Sequence, residues 1–153
     1  MIELPGGNDF DLIQAAVELQ HSFVFLTQDL QINRKSPEIY YWVSQAQSLI
    51  EIPDFQFYTV ASSVQMSHEK KPFDALLCLL DIRLVIAAQL ANLLGLRYLN
   101  PTSALLLRDK FNVRSTLKQA GIAQPEFALG TTNEEIQQAI SHIGLPVLIK
   151  PCD

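Results

Sequence analysis

Three features of the sequence predict an α/β fold with a mostly parallel sheet. Strand-like apolar runs alternate with helix-length segments, and capping residues punctuate those segments. The third feature is FDALLCLLD (Phe73–Asp81), a continuous apolar run of the kind that marks a strand covered on both faces. Strands that alternate with helices imply right-handed crossovers and hence parallel pairing.

Taken in order, Asn8 or Asp9 is placed to cap a first helix running to about Gln20, with Phe10, Ile13, Ala16 and Val17 among its apolar positions. SFVFLTQ (Ser22–Gln28) is apolar, aromatic and β-branched and reads as a strand. Ser36-Pro37-Glu38 is a helix start with proline in the first turn, and that helix is expected to continue through YYWVSQAQSLI. FQFYTVA (Phe55–Ala61) reads as a second strand, followed by a polar stretch, Ser62 to Pro72, without a clear assignment. After Phe73–Asp81 a helix is expected from Ile82 to Leu94, stopped by Gly95. Leu96–Leu99 is a candidate short strand, ended by Asn100-Pro101.

The rhythm changes at Thr102. Ser103 is placed to cap SALLLR, and Asp109 to cap KFNVRSTLKQA, which Gly121 ends. Pro125 introduces a candidate strand, EFALG. Thr132 and Glu135 then form a capping box that opens NEEIQQAISHI, closed by Gly144. LPVLIK reads as a last strand. An apolar strand so near the last residue, with no partner strand after it, predicts a chain cut within a domain.

Composition narrows the function classes. Almost half of the 153 residues are hydrophobic, 18% are charged, and the formal net charge is −5, the balance of a globular domain. The basic residues are scattered, which argues against nucleic acid as a partner. MIELPGGNDF has neither a basic n-region nor an apolar h-region, so it does not read as a signal peptide. Phe73 to Leu96 is apolar, but Asp74, Asp81 and Arg83 would sit inside the hydrocarbon, so no membrane span is predicted. Cys78 and Cys152 are far apart, and His21, His68 and His142 are isolated, so no zinc-like ligand set is present. Cys78, inside LLCLL, reads as a small buried hydrophobe, and the cysteine usage suits a reducing, cytoplasmic setting.

Phe73 to Pro151 resembles the ATP-grasp superfamily, especially carboxylate–amine ligases and their biotin-carboxylase-like relatives. Four pieces carry the resemblance in order. FDALLCLLDIRLVIAAQLANLLGL looks like the last strand and helix of a pre-ATP-grasp domain. RYLNPTSALLLRDKFNVRSTLKQAGIAQP is similar to a linker in which an Asp-Lys pair opens a helix that ends in Ala-Gly-Ile before a proline. The helix Asn133–Ile143 follows, and IGLPVLIKP looks like the strand that ends in a phosphate-binding lysine.

The resemblance implies a Rossmann-like pre-ATP-grasp domain over residues 1–101, then linker helices and the truncated start of an ATP-grasp domain over 102–153. It also implies an ATP-dependent ligase that activates a small carboxylate as an acyl-phosphate for attack by an amine or similar nucleophile. Lys110, of the Asp-Lys pair, and Lys150 match lysines that contact nucleotide phosphates. A compact charge on a long stem suits that task. The implied cofactors are ATP and Mg2+, but the glycine-rich loop, the adenine hinge and the magnesium ligands would all lie beyond Asp153. No catalytic residue and no metal ligand is therefore assigned within this chain, and a homo-oligomer stays open.

Each feature also has a plainer reading. Arg108, Asp109 and Lys110 suit a solvated helix start, and Lys150 suits a snorkelling strand end. Cys152 reads as a passive loop residue, Asp81 as a helix cap and Arg83 as a surface charge. The chain as a whole could instead be a non-catalytic α/β module that binds a ligand or partner, or a degenerate ATP-grasp scaffold.

Overall fold

A computed structural model describes residues 1–2, 9–31 and 35–152, with the side chains of Asp9 and Phe10 left aside. The proposed cap Asn8 lies outside the described residues. The chain divides into two compact units, Met1–Pro101 and Thr102–Asp153.

The first unit is α/β. It contains helix α1 (Asp9–Glu18), strand β1 (Val24–Thr27), helix α2 (Pro37–Val43), strand β2 (Ser48–Glu51) and helix α3 (Phe57–Lys70). A single 3-10 turn (Asp81–Arg83) then leads into helix α4 (Leu84–Leu93). β1 and β2 pair in parallel, in register from Val24 opposite Ser48 to Thr27 opposite Glu51. Ile2 adds a parallel bridge to Leu26 on the other edge of β1.

The sheet is covered on both faces, as parallel sheets usually are. On one face Ile13 and Ala16 of α1 and Val43 of α2 meet Phe23 and Phe25. On the other, Val60, Ala61 and Val64 of α3 and Ala87 and Leu90 of α4 pack with Ile2, Leu26, Ile52 and Phe55. Val43, Val60, Ala87 and Leu90 are fully buried. Each large side chain among them contributes roughly 1.5–3 kcal/mol by leaving water.

Several sequence expectations need correcting here. The helix that begins after Ser36 ends at Val43, and Ser48–Glu51 is β2 rather than its continuation. Phe55–Ala61 is not a strand. Its last five residues open α3, which also takes in most of the unassigned stretch after Ser62. The reason is spacing: Val60, Ala61 and Val64 are the buried residues of that helix, a helical repeat that outweighs the local strand propensity.

Phe73–Asp81 forms no strand ladder. The Ile2 N–H donates to the Leu77 carbonyl at 3.0 Å, and half-buried Leu76, Cys78 and Leu80 alternate with exposed Leu77 and Leu79. The run is thus covered on one face among the described residues, not on two. Leu96–Leu99 is also not a strand. The expected helix starts as the 3-10 turn at Asp81, and Gly95, at φ +66°, stops it as expected.

The second unit is mostly helical: the bulk of α5 (Pro101–Leu107), all of α6 (Lys110–Gln119) and α7 (Asn133–Ile143). Ser103 does not cap α5. That helix opens at Pro101, whose missing N–H costs nothing at a first position, and Ser103 lies inside it. Asp109 caps α6, accepting the Asn112 N–H at 2.8 Å, and Gly121 (φ +74°) follows it. The capping box of α7 is complete. Thr132 Oγ1 accepts the Glu135 N–H at 3.2 Å, while Glu135 Oε2 accepts the N–H groups of Thr132 (3.2 Å) and Thr131 (2.7 Å). EFALG and LPVLIK form no strands, and Leu148 (78%) and Ile149 (63%) are largely exposed.

Candidate functional site

Lys110 and Lys150 are 40 positions apart in sequence, yet the second unit brings them to one cavity of about 720 Å³. Lys110 is the first residue of α6, immediately after its cap Asp109. Its backbone N–H donates to the Cys152 carbonyl at 2.9 Å, and its Nζ reaches the same oxygen at 3.4 Å. That carbonyl lies two residues beyond Lys150, so the end of the LPVLIK segment is tied directly to the amino end of α6.

Both lysines are exposed. No carboxylate among the described residues lies within ion-pair distance of either. The cavity also contains Arg114, half-buried, whose Nη1 donates to Gln124 Oε1 at 3.4 Å. Phe111 and Phe127 form an edge-on pair in its wall, with ring centroids 5.6 Å apart. Glu126, the one carboxylate in the described lining, is already 3.7 Å from Lys118 Nζ. The described lining therefore carries three cations against one spoken-for carboxylate, a field suited to an anion.

Two of the N–H groups at the amino end of α6 are already taken. The Asn112 N–H is held by Asp109 and the Lys110 N–H by Cys152. Anion attraction here rests on side chains rather than on an open helix terminus. Magnesium does not fit, because it needs several oxygen ligands and this lining holds no group of carboxylates. Among all described residues no cluster of His, Cys, Asp or Glu could hold a metal ion.

The structure corrects two readings near the first unit's 3-10 turn. Asp81 is exposed there and makes no side-chain cap, so it is not a helix cap. Arg83 is not a surface charge. Its guanidinium carbon lies 3.6 Å from the centroid of the Phe55 ring, and its Nε is buried without a hydrogen-bond partner among the described residues. Cys78 is half-buried against the core, its Sγ 3.7 Å from the Leu80 carbonyl. Burial, and secondarily the nearby Cys78, raise the Tyr98 phenol above its usual range. Cys152 is a free, half-buried thiol, and its carbonyl rather than its sulfur makes the contacts with Lys110.

Arg114 is the cavity residue that the motif-based reading missed. A signal for it existed: it lies four positions after Lys110, on the same face of a helix that Asp109 and Gly121 delimit.

No protein-family model matches the sequence, and no curated protein matches it. Solved structures do. The chain superimposes on an L-amino acid ligase from Bacillus licheniformis with a TM-score of 0.64 and 22% identity, over 92% of this chain and 32% of that one. It superimposes on a phosphoribosylglycinamide synthetase from Anaerococcus prevotii with a TM-score of 0.66 and 19% identity, over 95% of this chain and 34% of that one. The chain thus spans about a third of the length of each. At these identities the likeness shows a shared fold, and it spans nearly the whole of this chain. No helix among the described residues is long and apolar enough to cross a membrane.

Proposed function

We propose that this chain is the N-terminal part of an ATP-dependent ligase of the ATP-grasp type. Met1–Pro101 would be its pre-ATP-grasp domain, and Thr102–Asp153 the linker helices with the start of the ATP-grasp domain. The observation that carries the reading is the fold shared, over more than nine-tenths of the chain, with an L-amino acid ligase and a phosphoribosylglycinamide synthetase. The meeting of Lys110, Arg114 and Lys150 in one cavity supports it from the side of charge.

In this reading a carboxylate oxygen of the substrate attacks the γ-phosphorus of ATP and ADP leaves. An amine then attacks the acyl carbon and expels phosphate. Lys110 and Lys150 hold phosphate oxygens of the nucleotide. Bound magnesium would neutralise the remaining phosphate charge, on ligands outside the described residues. Catalysis of this kind depends on positioning and charge neutralisation rather than on a nucleophile of the protein. A cytoplasmic setting, with its ATP supply, fits the same proposal.

The test uses the natural full-length protein, incubated with ATP, magnesium, hydroxylamine and a panel of small carboxylates that includes the amino acids. Hydroxylamine intercepts an acyl-phosphate as a hydroxamate. Hydroxamate formation with stoichiometric ADP release is expected for at least one carboxylate. ADP release that no carboxylate stimulates, with no hydroxamate formed, would overturn the proposal.

A further inference from the structure

Lys150 stands on a segment that the described residues hold at one point. LPVLIK joins no sheet, and Leu148 and Ile149 beside the lysine are largely exposed. Among the described residues, the segment 145–152 makes two hydrogen bonds, and one residue supplies both donors. The backbone N–H of Lys110 donates to the Cys152 carbonyl at 2.9 Å, and the Lys110 Nζ donates to the same oxygen at 3.4 Å.

The two contacts are not equal. The first is short and comes from the backbone, so any residue except proline supplies it at position 110. The second is longer and comes from an exposed ammonium, so it holds less firmly. Helix geometry explains the first. Lys110 opens α6, where an N–H has no partner inside the helix. Asp109 takes the Asn112 N–H, and the Lys110 N–H is left for the Cys152 carbonyl. From Cys152 back to Lys150 is two residue steps, at most about 7 Å of chain. Fixing that carbonyl therefore keeps the Lys150 backbone close to the amino end of α6, and both lysines line the same cavity.

We propose that Lys110 is a positioning residue for Lys150. By holding the Cys152 carbonyl it keeps the end of the LPVLIK segment beside α6 and the Lys150 ammonium at the cavity. The backbone donor lets one residue serve two tasks. A phosphate can draw the Lys110 ammonium away from the carbonyl while the N–H still holds the segment. This inference rests on the reading of Lys150 as a phosphate-binding group, and adds what places that group.

The experiment compares the full-length protein with two variants. Lys110→Ala keeps the backbone donor, whereas Lys110→Pro removes it together with the ammonium. Proline suits the first position of a helix, and Asp109, at φ −108° and ψ 106°, already has the backbone that a following proline requires. The Cys152 thiol is half-buried, and its alkylation rate without nucleotide, followed by mass spectrometry of its peptide, reads the tether directly. Faster alkylation is expected in Lys110→Pro than in Lys110→Ala. The Kd for ATP should be roughly 2- to 10-fold higher in Lys110→Pro than in Lys110→Ala, the effect of one net hydrogen bond. On a Lys150→Ala background the two should agree within about twofold, because no ammonium is left to position. Equal alkylation in the two variants, equal Kd values, or a gap that persists without the Lys150 ammonium would overturn the proposal. Wild-type protein that binds no ATP would instead overturn the ligase reading, and the alkylation rates would then decide the tether by themselves.

Discussion

Removing the Lys150 ammonium should weaken nucleotide binding measurably but not abolish it, and the size follows from its exposure. A charge-assisted hydrogen bond contributes roughly 1.5–3 kcal/mol net, whereas an exposed ion pair contributes about 0–1 kcal/mol. Lys150 is exposed and lies in a cavity open to water, so the lower part of the combined range applies, about 1–2 kcal/mol for a polyphosphate. That corresponds to roughly a 5- to 30-fold rise in Kd for Lys150→Ala. Lys150→Arg should recover most of the loss, because the charge stays while the fork geometry changes. Lys110→Ala should cost a similar factor. The double variant should depart from additivity, since both charges act on one ligand. Lys118→Ala serves as the control. Its ammonium is already 3.7 Å from Glu126, so Kd should stay within about twofold. The assay is equilibrium ATP binding to the full-length protein at two salt concentrations. A Lys118 variant that binds as weakly as the Lys150 variant would show that general charge, not this position, governs binding. An unchanged Kd in both Lys150→Ala and Lys110→Ala would remove the phosphate-grip assignment altogether.

Thr132→Ala deletes the acceptor of the Glu135 N–H and should lower the stability of α7 by about 1 kcal/mol, read from its helicity or from local hydrogen exchange. The backbone N–H of Thr131, its hydroxyl and the backbone N–H of Thr132 hold the Glu135 carboxyl below its ordinary 4.5. A depressed folded-state pKa means that the stabilisation is present above the unfolded value and is lost as pH falls through the folded one. Protection of the Thr131 and Thr132 amides, relative to their intrinsic exchange rates, should therefore weaken as pH falls through the folded-state value below 4.5, and Glu135→Gln should flatten that dependence. Tyr98 runs the other way. Its phenol is raised by burial, so the neutral form is favoured in the fold and the first unit should lose stability as pH rises past about 10, which Tyr98→Phe should relieve. Leu90→Ala empties a fully buried position between α4 and α3 and should cost about 2–5 kcal/mol in denaturant unfolding.

What could be read from the sequence was local. Ser36, Asp109, the Thr132–Glu135 pair, Gly95, Gly121 and Gly144 mark helix ends through contacts within three or four residues, and the structure places each of them at a helix end. Where the sequence misled, a distant contact decides the outcome. Phe55–Ala61 has the composition of a strand, but burial of Val60, Ala61 and Val64 against Leu26 and Leu90 favours a helix. Ser48–Glu51 has two half-buried residues between two exposed ones and carries little strand signal of its own, so its pairing with β1 had to be seen. The apolar run at Phe73 was read as covered on both faces, yet apolarity alone does not say how many neighbours a segment has. The candidate site divides along the same line. Lys110 and Lys150 stood out only through resemblance, because nothing in a 40-residue separation places two side chains in one cavity.

The cap that was easiest to read also limits what the site can be. Asp109 and the Cys152 carbonyl take N–H groups at the amino end of α6, the donors that a phosphate would otherwise find ready-made there. This chain's hold on an anion then comes from long, exposed, rotatable cations, which lose entropy on binding and are screened by salt. Such charges attract a polyphosphate without fixing it in one pose. Fixing it requires donors of defined direction, which exposed lysine ammonium groups do not supply. Binding by this unit should therefore fall steeply with ionic strength and discriminate poorly between triphosphate and diphosphate. Selectivity for the γ-phosphate that appears only in the full-length protein would locate the orienting groups outside this chain.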